Sequence, residues 1–259
     1  MIDKVVRDPR DAVRDIEDGA VLAVGGFGLS GVPIVLIDAL SESTTATDLQ
    51  IASNNCGTDG WGRGVLLEQH RIARVVASYI GENREFGRQY LAGEVEVELT
   101  PQGTLAERLR AAGTGIPAFF TATGAGTMVG DGGLPWRYAA DGSVAVASPP
   151  KQTQDFDGQA YVLERALPAD FGLVRAARGD RHGNLVFHSA ARNFNPLAAM
   201  AGRVTVAEVE QLVEPGEIDP DDVHLPGIFV QRVVPLTAEQ VGRKHIEKRT
   251  TRENGGRPE

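Results

Sequence analysis

The chain has 259 residues, 42% of them hydrophobic, which suits one large domain with a sizeable core. Its 26 basic and 35 acidic side chains give a formal net charge of −9, which argues against nucleic-acid binding because that function needs a basic face. Cys56 is the only cysteine, so an intrachain disulfide is excluded. The charged N-terminus and the lack of a long apolar run predict a cytoplasmic protein without a membrane span.

The first elements predicted along the chain are a helix, a buried strand, a glycine-rich segment and a second helix. Asp8 followed by Pro9 is typical of a helix start, and this helix is expected to continue to about Glu17. Residues 20–24 form a continuous apolar run of strand length, which predicts a strand covered on both faces. After the glycines, Pro33 fits the start of another helix.

The alternation of strands and helices then repeats through the first half of the chain. Strands are predicted at residues 49–53, 73–79, 94–100 and 117–123, and helices at residues 82–93 and 104–113. Strands separated by helices indicate an α/β fold with a mostly parallel sheet flanked by helices.

The second half of the sequence has a different character. Residues 124–160 are rich in Gly, Pro, Asp and Ser, which predicts a loop-rich excursion with room for a β-hairpin. Short strands follow, with one clear helix at 195–202 and strand character at 223–234. We therefore expect one domain over 1–236, and a charged tail over 237–259 that begins as a short helix and is otherwise disordered.

Residues 26–31 spell G-x-G-x-x-G between a strand and a helix, the pattern of dinucleotide-binding loops. Backbone N–H groups and the helix dipole at such a turn favour a phosphorylated or carboxylated ligand. A nicotinamide site also needs an acidic residue at the tip of the next strand, where Asn54 and Asn55 stand instead. A P-loop is excluded because Val32-Pro33 follows the last glycine. A purely structural glycine turn remains an alternative.

The wider segment 18–33, DGAVLAVGGFGLSGVP, resembles the first signature of the family I CoA-transferases. Residues 81–127, 180–196 and 224–234 resemble further blocks of the A (alpha) subunits of that family. Within it, the chain looks most like the subunits of enzymes that exchange CoA between succinate and a 3-oxoacid such as acetoacetate. Transferases of 3-oxoadipate or of acetate and butyrate are the alternatives. Ala122 and Ala125 replace a proline and a tyrosine that are frequent in the family, which leaves the acyl specificity open.

The resemblance implies a covalent mechanism with the nucleophile on another chain. In this family a glutamate of the B subunit, in a Ser-Glu-Asn-Gly context, forms a glutamyl-CoA thioester. CoA is then a substrate rather than a tightly bound cofactor, and the protein is a heterodimer or heterotetramer with an apolar surface for its partner. Here Glu82-Asn83 and Glu253-Asn254-Gly255 imitate that context only in part, so no catalytic residue is expected in this chain and Glu82 is a weak candidate.

Positions in the loop and at the predicted strand ends then indicate which residues bind CoA. Those expected to line its site are Gly25, Gly26, Phe27, Gly28, Leu29, Ser30, Gly31, Asn54, Asn55 and Gln102. The two asparagines also suit a simple turn. Thr104 and Glu107 fit a capping box, which is a sufficient structural explanation for these two residues at the start of the predicted helix. No metal-ligand spacing is present. A rival of another class is a non-catalytic nucleotide-binding or regulatory protein that uses the same loop.

Overall fold

The computed structural model describes residues 3–244, and every structural statement below concerns that range. The strands are β1 (Val21–Val24), β2 (Leu49–Ala52), β3 (Ile72–Ala77), β4 (Glu96–Leu99), β5 (Ala118–Thr121), β6 (Pro135–Tyr138), β7 (Val144–Ala147), β8 (Thr153–Phe156), β9 (Gln159–Arg165), β10 (Ala169–Asp180), β11 (Leu185–Val186), β12 (Gly202–Val213) and β13 (Arg232–Pro235). The helices are α1 (Pro9–Val13), α2 (Ile34–Ser43), α3 (Arg63–Glu68), α4 (Arg84–Leu91), α5 (Gln102–Gly113), α6 (Met128–Asp131), α7 (Asn195–Ala201) and α8 (Ala238–Val241).

A largely parallel sheet of eight strands forms the centre, in the order β13–β12–β10–β1–β2–β3–β4, with β11 antiparallel to β10. The chain first builds outward from β1 through β4 and later returns to the other side of β1 with β10, β12 and β13. The order therefore reverses between β1 and β10, where Val24 pairs with Leu173. In open α/β sheets, ligands bind outside the carboxyl ends of the strands at such a reversal.

Helices cover both faces of the central sheet, which explains why its central strand β1 is apolar without alternation. One core packs the sheet against α1, α2, α3 and α4, and the other packs it against α5 and α7. The predicted α/β class with flanking helices is confirmed.

The loop-rich middle of the chain forms two small antiparallel sheets, β5–β9–β8 and the hairpin β6–β7. The strand predicted at 117–123 exists as β5, but it pairs with β9 rather than joining the central sheet. On this small sheet, Phe156 contacts Phe120 and Tyr161 edge-on, with ring centroids 5.4 Å apart in both pairs. Phe120 and Phe156 are 36% and 45% exposed, so the cluster is open to solvent in the isolated chain.

Several predicted boundaries were wrong. Helix α1 ends at Val13 rather than near residue 17, because the Ile16 N–H closes a turn on the Val13 carbonyl. Only β13 is a strand within 223–234, since Pro226 opens a short 3₁₀ turn that interrupts the run. Helix α8 is the predicted short helix, and the rest of the predicted tail lies outside the described residues.

No helix in the described part of the chain is both long and apolar enough to span a bilayer.

Candidate functional site

The carboxyl ends of β1, β2, β3 and β4 form one continuous row on the side where the glycine loop emerges. Gln102 follows β4, three strands from the loop, which at about 4.8 Å per strand places it roughly 14 Å away along the row. The row therefore suits an extended ligand. Three hydrogen bonds tie it together: Ser53 Oγ to the Val24 carbonyl (2.8 Å), Ser78 N–H to the Asn54 carbonyl (3.1 Å) and Thr100 N–H to the Ala77 carbonyl (2.9 Å).

The glycine loop itself is a tight hairpin. Phe27 and Ser30 exchange two backbone hydrogen bonds of 3.0 Å each, and the turn between them uses Gly28 in the left-handed region. These two N–H groups therefore face into the loop rather than toward a ligand. The N–H groups of Gly26, Gly28 and Leu29 donate to no described residue, so the donors open to a ligand are fewer than the motif predicts.

Asn195, at the start of α7, holds the loop from behind. Its side chain is fully buried, its Nδ2 donates to the Gly31 carbonyl (2.9 Å) and the Ala191 carbonyl (2.8 Å), and its Oδ1 accepts from the Arg175 N–H (3.0 Å). A Cβ on Gly25 would lie 2.0 Å from that Oδ1. Position 25 therefore needs a glycine, because any side chain there would collide with Asn195.

Arg63, the first residue of α3, is fully buried between the glycine loop and the end of β2. Its guanidinium donates to the Gly25 carbonyl (3.1 Å), the Asn55 carbonyl (3.0 Å) and Asn55 Oδ1 (2.6 Å). Burial lowers the pKa of Arg63 to about 10, so it remains charged at neutral pH. It forms no ion pair within residues 3–244, and its charge favours an anionic ligand nearby.

The two predicted asparagines differ in availability. Asn55 already accepts two hydrogen bonds through Oδ1, from Arg63 and from the Gly57 N–H. The side-chain amide of Asn54 is nearly buried and makes no hydrogen bond to any described residue. Asn54 is thus the better candidate for ligand contact, and Asn55 has a structural role in its loop.

Gln102 is exposed, and its amide also makes no hydrogen bond within the described range. The predicted capping box of Thr104 and Glu107 is wrong, because α5 begins two residues earlier with Pro101 as its N-cap. Thr104 therefore lies inside the helix, and its hydroxyl is buried without a hydrogen-bond partner among residues 3–244. Glu107 instead pairs with Arg110.

Glu82 and Cys56 lie near the same edge but are not prepared as nucleophiles. Glu82 is exposed with a φ of +66°, and its carboxylate has no hydrogen-bond or ion-pair partner among the described residues. Burial raises the pKa of the Cys56 thiol to about 12, so it stays protonated. The segment containing Glu253 lies outside the described residues. Within residues 3–244 there is no cluster of metal-ligating side chains.

Comparisons with known proteins match this architecture. The family model described as "Coenzyme A transferase" covers residues 6–236. The chain is 62% identical over 252 residues to the A subunit of a probable succinyl-CoA:3-ketoacid coenzyme A transferase of Mycobacterium tuberculosis, covering 97% of this chain and 100% of that protein. It is 50% identical to the human mitochondrial succinyl-CoA:3-ketoacid coenzyme A transferase 2, covering 95% of this chain but 47% of the human protein.

A solved structure shares the fold. The apoenzyme of the acyl-CoA transferase YdiF from Escherichia coli O157:H7 superposes with a TM-score of 0.75 at 23% identity, over 92% of this chain and 48% of that one. The chain thus spans about half the length of the human and E. coli proteins. It belongs to the coenzyme A transferase family, as the sequence resemblance predicted.

Four residues that organise the site were not identified from sequence: Arg63, Arg175, Asn195 and Glu208. Asn195 lies in a block that carries the family resemblance, but nothing local indicated a contact with the glycines. The clearest missed signal was Glu208, a carboxylate within the apolar strand sequence TVAEV, where a buried charge requires partners.

Proposed function

We propose that this chain is the A subunit of an enzyme that moves CoA between succinyl-CoA and a 3-oxoacid such as acetoacetate, with the nucleophilic glutamate on a separate B subunit. The observation that carries the proposal is the composition of the strand-end row. The amides of Asn54 and Gln102 and the N–H groups of Gly26, Gly28 and Leu29 make no hydrogen bond to a described residue. The exposed Glu82 carboxylate near them has no described partner that would orient it. The names of the relatives supply the substrates.

The chemistry divides one difficult exchange into easier steps. A carboxylate oxygen of the partner's glutamate attacks the thioester carbonyl, the C–S bond breaks, and a mixed anhydride and the CoA thiolate result. The thiolate then attacks the glutamyl carbonyl, which releases the first acid and leaves a glutamyl-CoA thioester. The acceptor acid reverses both steps. Backbone and amide donors of this chain suit the stabilisation of negative charge that develops on the carbonyl oxygen.

The length of the human relative and the exposed aromatic side chains of this chain both support a partner subunit. The human relative is about twice as long as the region it shares with this chain, which leaves room for a second half in one polypeptide. Phe27 and Tyr79 follow the ends of β1 and β3 and are 47% and 50% exposed. Large apolar side chains exposed beside a site are typical of a surface that another protein covers.

The test combines the purified chain with a candidate partner that contains Ser-Glu-Asn-Gly. Intact masses are recorded after incubation with succinyl-CoA or acetoacetyl-CoA, for each chain alone and for the pair. We expect a CoA adduct on the partner, only in the pair, and lost when the partner's glutamate is replaced by glutamine. An adduct on this chain alone would overturn the proposal and make Glu82→Ala the next variant.

The acceptor is tested in the same complex. Acetoacetate, 3-oxoadipate, acetate and butyrate compete for CoA from succinyl-CoA, and acetoacetate is expected to give the highest kcat/KM. Preference for another acid would reassign the substrate while leaving the CoA-transferase activity in place. Binding of CoA without any transfer in the pair would favour the non-catalytic alternative.

A further inference from the structure

The amino terminus of α2, directly after the glycine loop, is already saturated with hydrogen bonds. Its N-cap, Pro33, has no N–H group, and the Ile34 N–H donates to the Val32 carbonyl (2.9 Å). The next two N–H groups, of Val35 and Leu36, donate to the Glu208 carboxylate, with 3.0 Å between Leu36 N and Glu208 Oε2. This helix end thus offers no vacant donor within the described chain.

Glu208 lies on β12 and is fully buried. Its second oxygen, Oε1, accepts from Arg175 Nη1 at 3.1 Å. Arg175 also pairs with Glu210 at 3.1 Å and donates through Nη2 to the Val241 carbonyl. Lys244 pairs with Glu210 at 2.6 Å, so carboxylates and cations alternate from Glu208 through Arg175 and Glu210 to Lys244.

The network continues to the glycine loop through the backbone of Arg175. The Arg175 N–H donates to Asn195 Oδ1, and Asn195 Nδ2 donates to the Gly31 carbonyl. Glu208 therefore acts on the loop in two ways. It bonds α2 directly after the loop, and it pairs with Arg175, whose N–H bonds the asparagine that holds Gly31.

We propose that Glu208 is the resident anion of the α2 amino terminus and a positioning residue for the glycine loop, so that the phosphates of the CoA substrate bind away from this helix end. The inference rests on the proposed CoA-transfer function. A carboxylate at this position complements the positive end of the helix dipole, which is the interaction that a phosphate would otherwise make.

The ionised form of Glu208 is the form that carries out this role. Burial raises the pKa of Glu208 to about 7, against the opposing effects of Arg175 and the two backbone N–H groups. Lowering the pH through this value neutralises the carboxylate and weakens its hold on α2 and Arg175. The other charged groups around the network are Glu210 and Lys244, and on α2 the Asp38 carboxylate paired with Arg243.

The experiment compares Glu208→Gln with wild type in the complex with the partner. The control is Glu164→Gln, because Glu164 is also a buried carboxylate paired with a cation, Lys151, but lies in the small sheet. We expect Glu208→Gln to raise KM for the acyl-CoA by about tenfold or more, with a smaller change in kcat. Wild type and the control should lose kcat/KM on acidification with a midpoint near pH 7, and Glu208→Gln should lack this step.

Hydrogen exchange gives a readout that needs no activity. The amides of Val35 and Leu36 should exchange about tenfold faster in Glu208→Gln and be unchanged in the control. In the wild-type chain their protection should not increase with inorganic phosphate or ADP, because their acceptor is already present. That wild-type measurement also covers the case in which Glu208→Gln does not fold.

The outcomes separate the two proposals. If Glu208→Gln has the same KM, pH profile and amide exchange as the wild type, the role of Glu208 is overturned and the CoA-transferase proposal stands. Phosphate-dependent protection of Val35 and Leu36 would overturn the assignment of the resident anion. If the wild-type complex transfers no CoA, the proposed function fails, and amide exchange alone decides whether Glu208 holds the helix.

Discussion

Replacing Gly25 with alanine tests directly why the loop needs a glycine at its first position. The new Cβ would lie 2.0 Å from Asn195 Oδ1 and 2.6 Å from Asn195 Cγ, so the asparagine side chain must move. Its three buried hydrogen bonds contribute about 1 kcal/mol each, and inserting a methyl group into a packed site costs about 1–3 kcal/mol. We therefore expect Gly25→Ala to lower the free energy of unfolding by about 4–6 kcal/mol.

The matched control is Gly28→Ala in the same loop. Gly28 has a φ of +55°, and no atom lies within 4 Å of the place that an alanine methyl group would take. Alanine there meets only the backbone penalty of about 1–2 kcal/mol. Urea denaturation of the purified variants, followed by circular dichroism, measures both losses. An equal loss in the two variants would refute the assigned role of Asn195.

A double-mutant cycle isolates the contact. In an Asn195→Ala background the clashing amide is absent, and the Gly25 Cβ then approaches the backbone at residue 195, whose Cα lies 3.1 Å away. Gly25→Ala should then cost about 2 kcal/mol less than it does in the wild-type background. Strict additivity of the two substitutions would contradict a direct conflict between them.

Three further predictions concern the residues around the strand ends. Arg63→Leu removes three hydrogen bonds to buried acceptors and should reduce the free energy of unfolding by about 3 kcal/mol. Arg63→Lys should not restore the stability because an ammonium lacks the fork geometry, and urea titrations of both variants test this. Asn54→Ala should raise KM for the acyl-CoA with an unchanged Tm, whereas Asn55→Ala should lower the Tm, and the reverse pattern would contradict their assigned roles. The Cys56 thiol, with its pKa raised to about 12 by burial, should react with a thiol reagent at pH 8 only after urea is added.

Local patterns in the sequence predicted the central sheet well. Strands β1, β2, β3 and β4 are short apolar runs bounded by turns, and their alternation with helices indicates parallel pairing. The same patterns could not assign β5, because an apolar run does not reveal which sheet its strand joins. Its antiparallel partner β9 lies beyond the loop-rich segment, about 40 residues later in the chain.

The candidate site was predicted only in part, for a related reason. The glycines, Asn54 and Gln102 follow strand ends, so their common edge could be inferred from strand order. The contacts that shape the site connect distant positions: Leu36 and Glu208 are 172 residues apart, and Gly31 and Asn195 are 164 apart. No local periodicity indicates such pairs, so the internal partners of the loop become visible only in the folded chain.

These internal partners explain how a G-x-G-x-x-G motif arises without a dinucleotide. In a nicotinamide site the glycines let the backbone approach a pyrophosphate at an open helix end. Here Gly31 has a φ of +68°, and its added Cβ would meet Asn195 Nδ2 at 2.7 Å, so the requirement comes from within the protein. The α2 end is closed by Glu208 as well. The motif therefore indicates a tight strand-to-helix turn. Whether the amino terminus of the following helix is open or already occupied by a carboxylate determines what that turn binds.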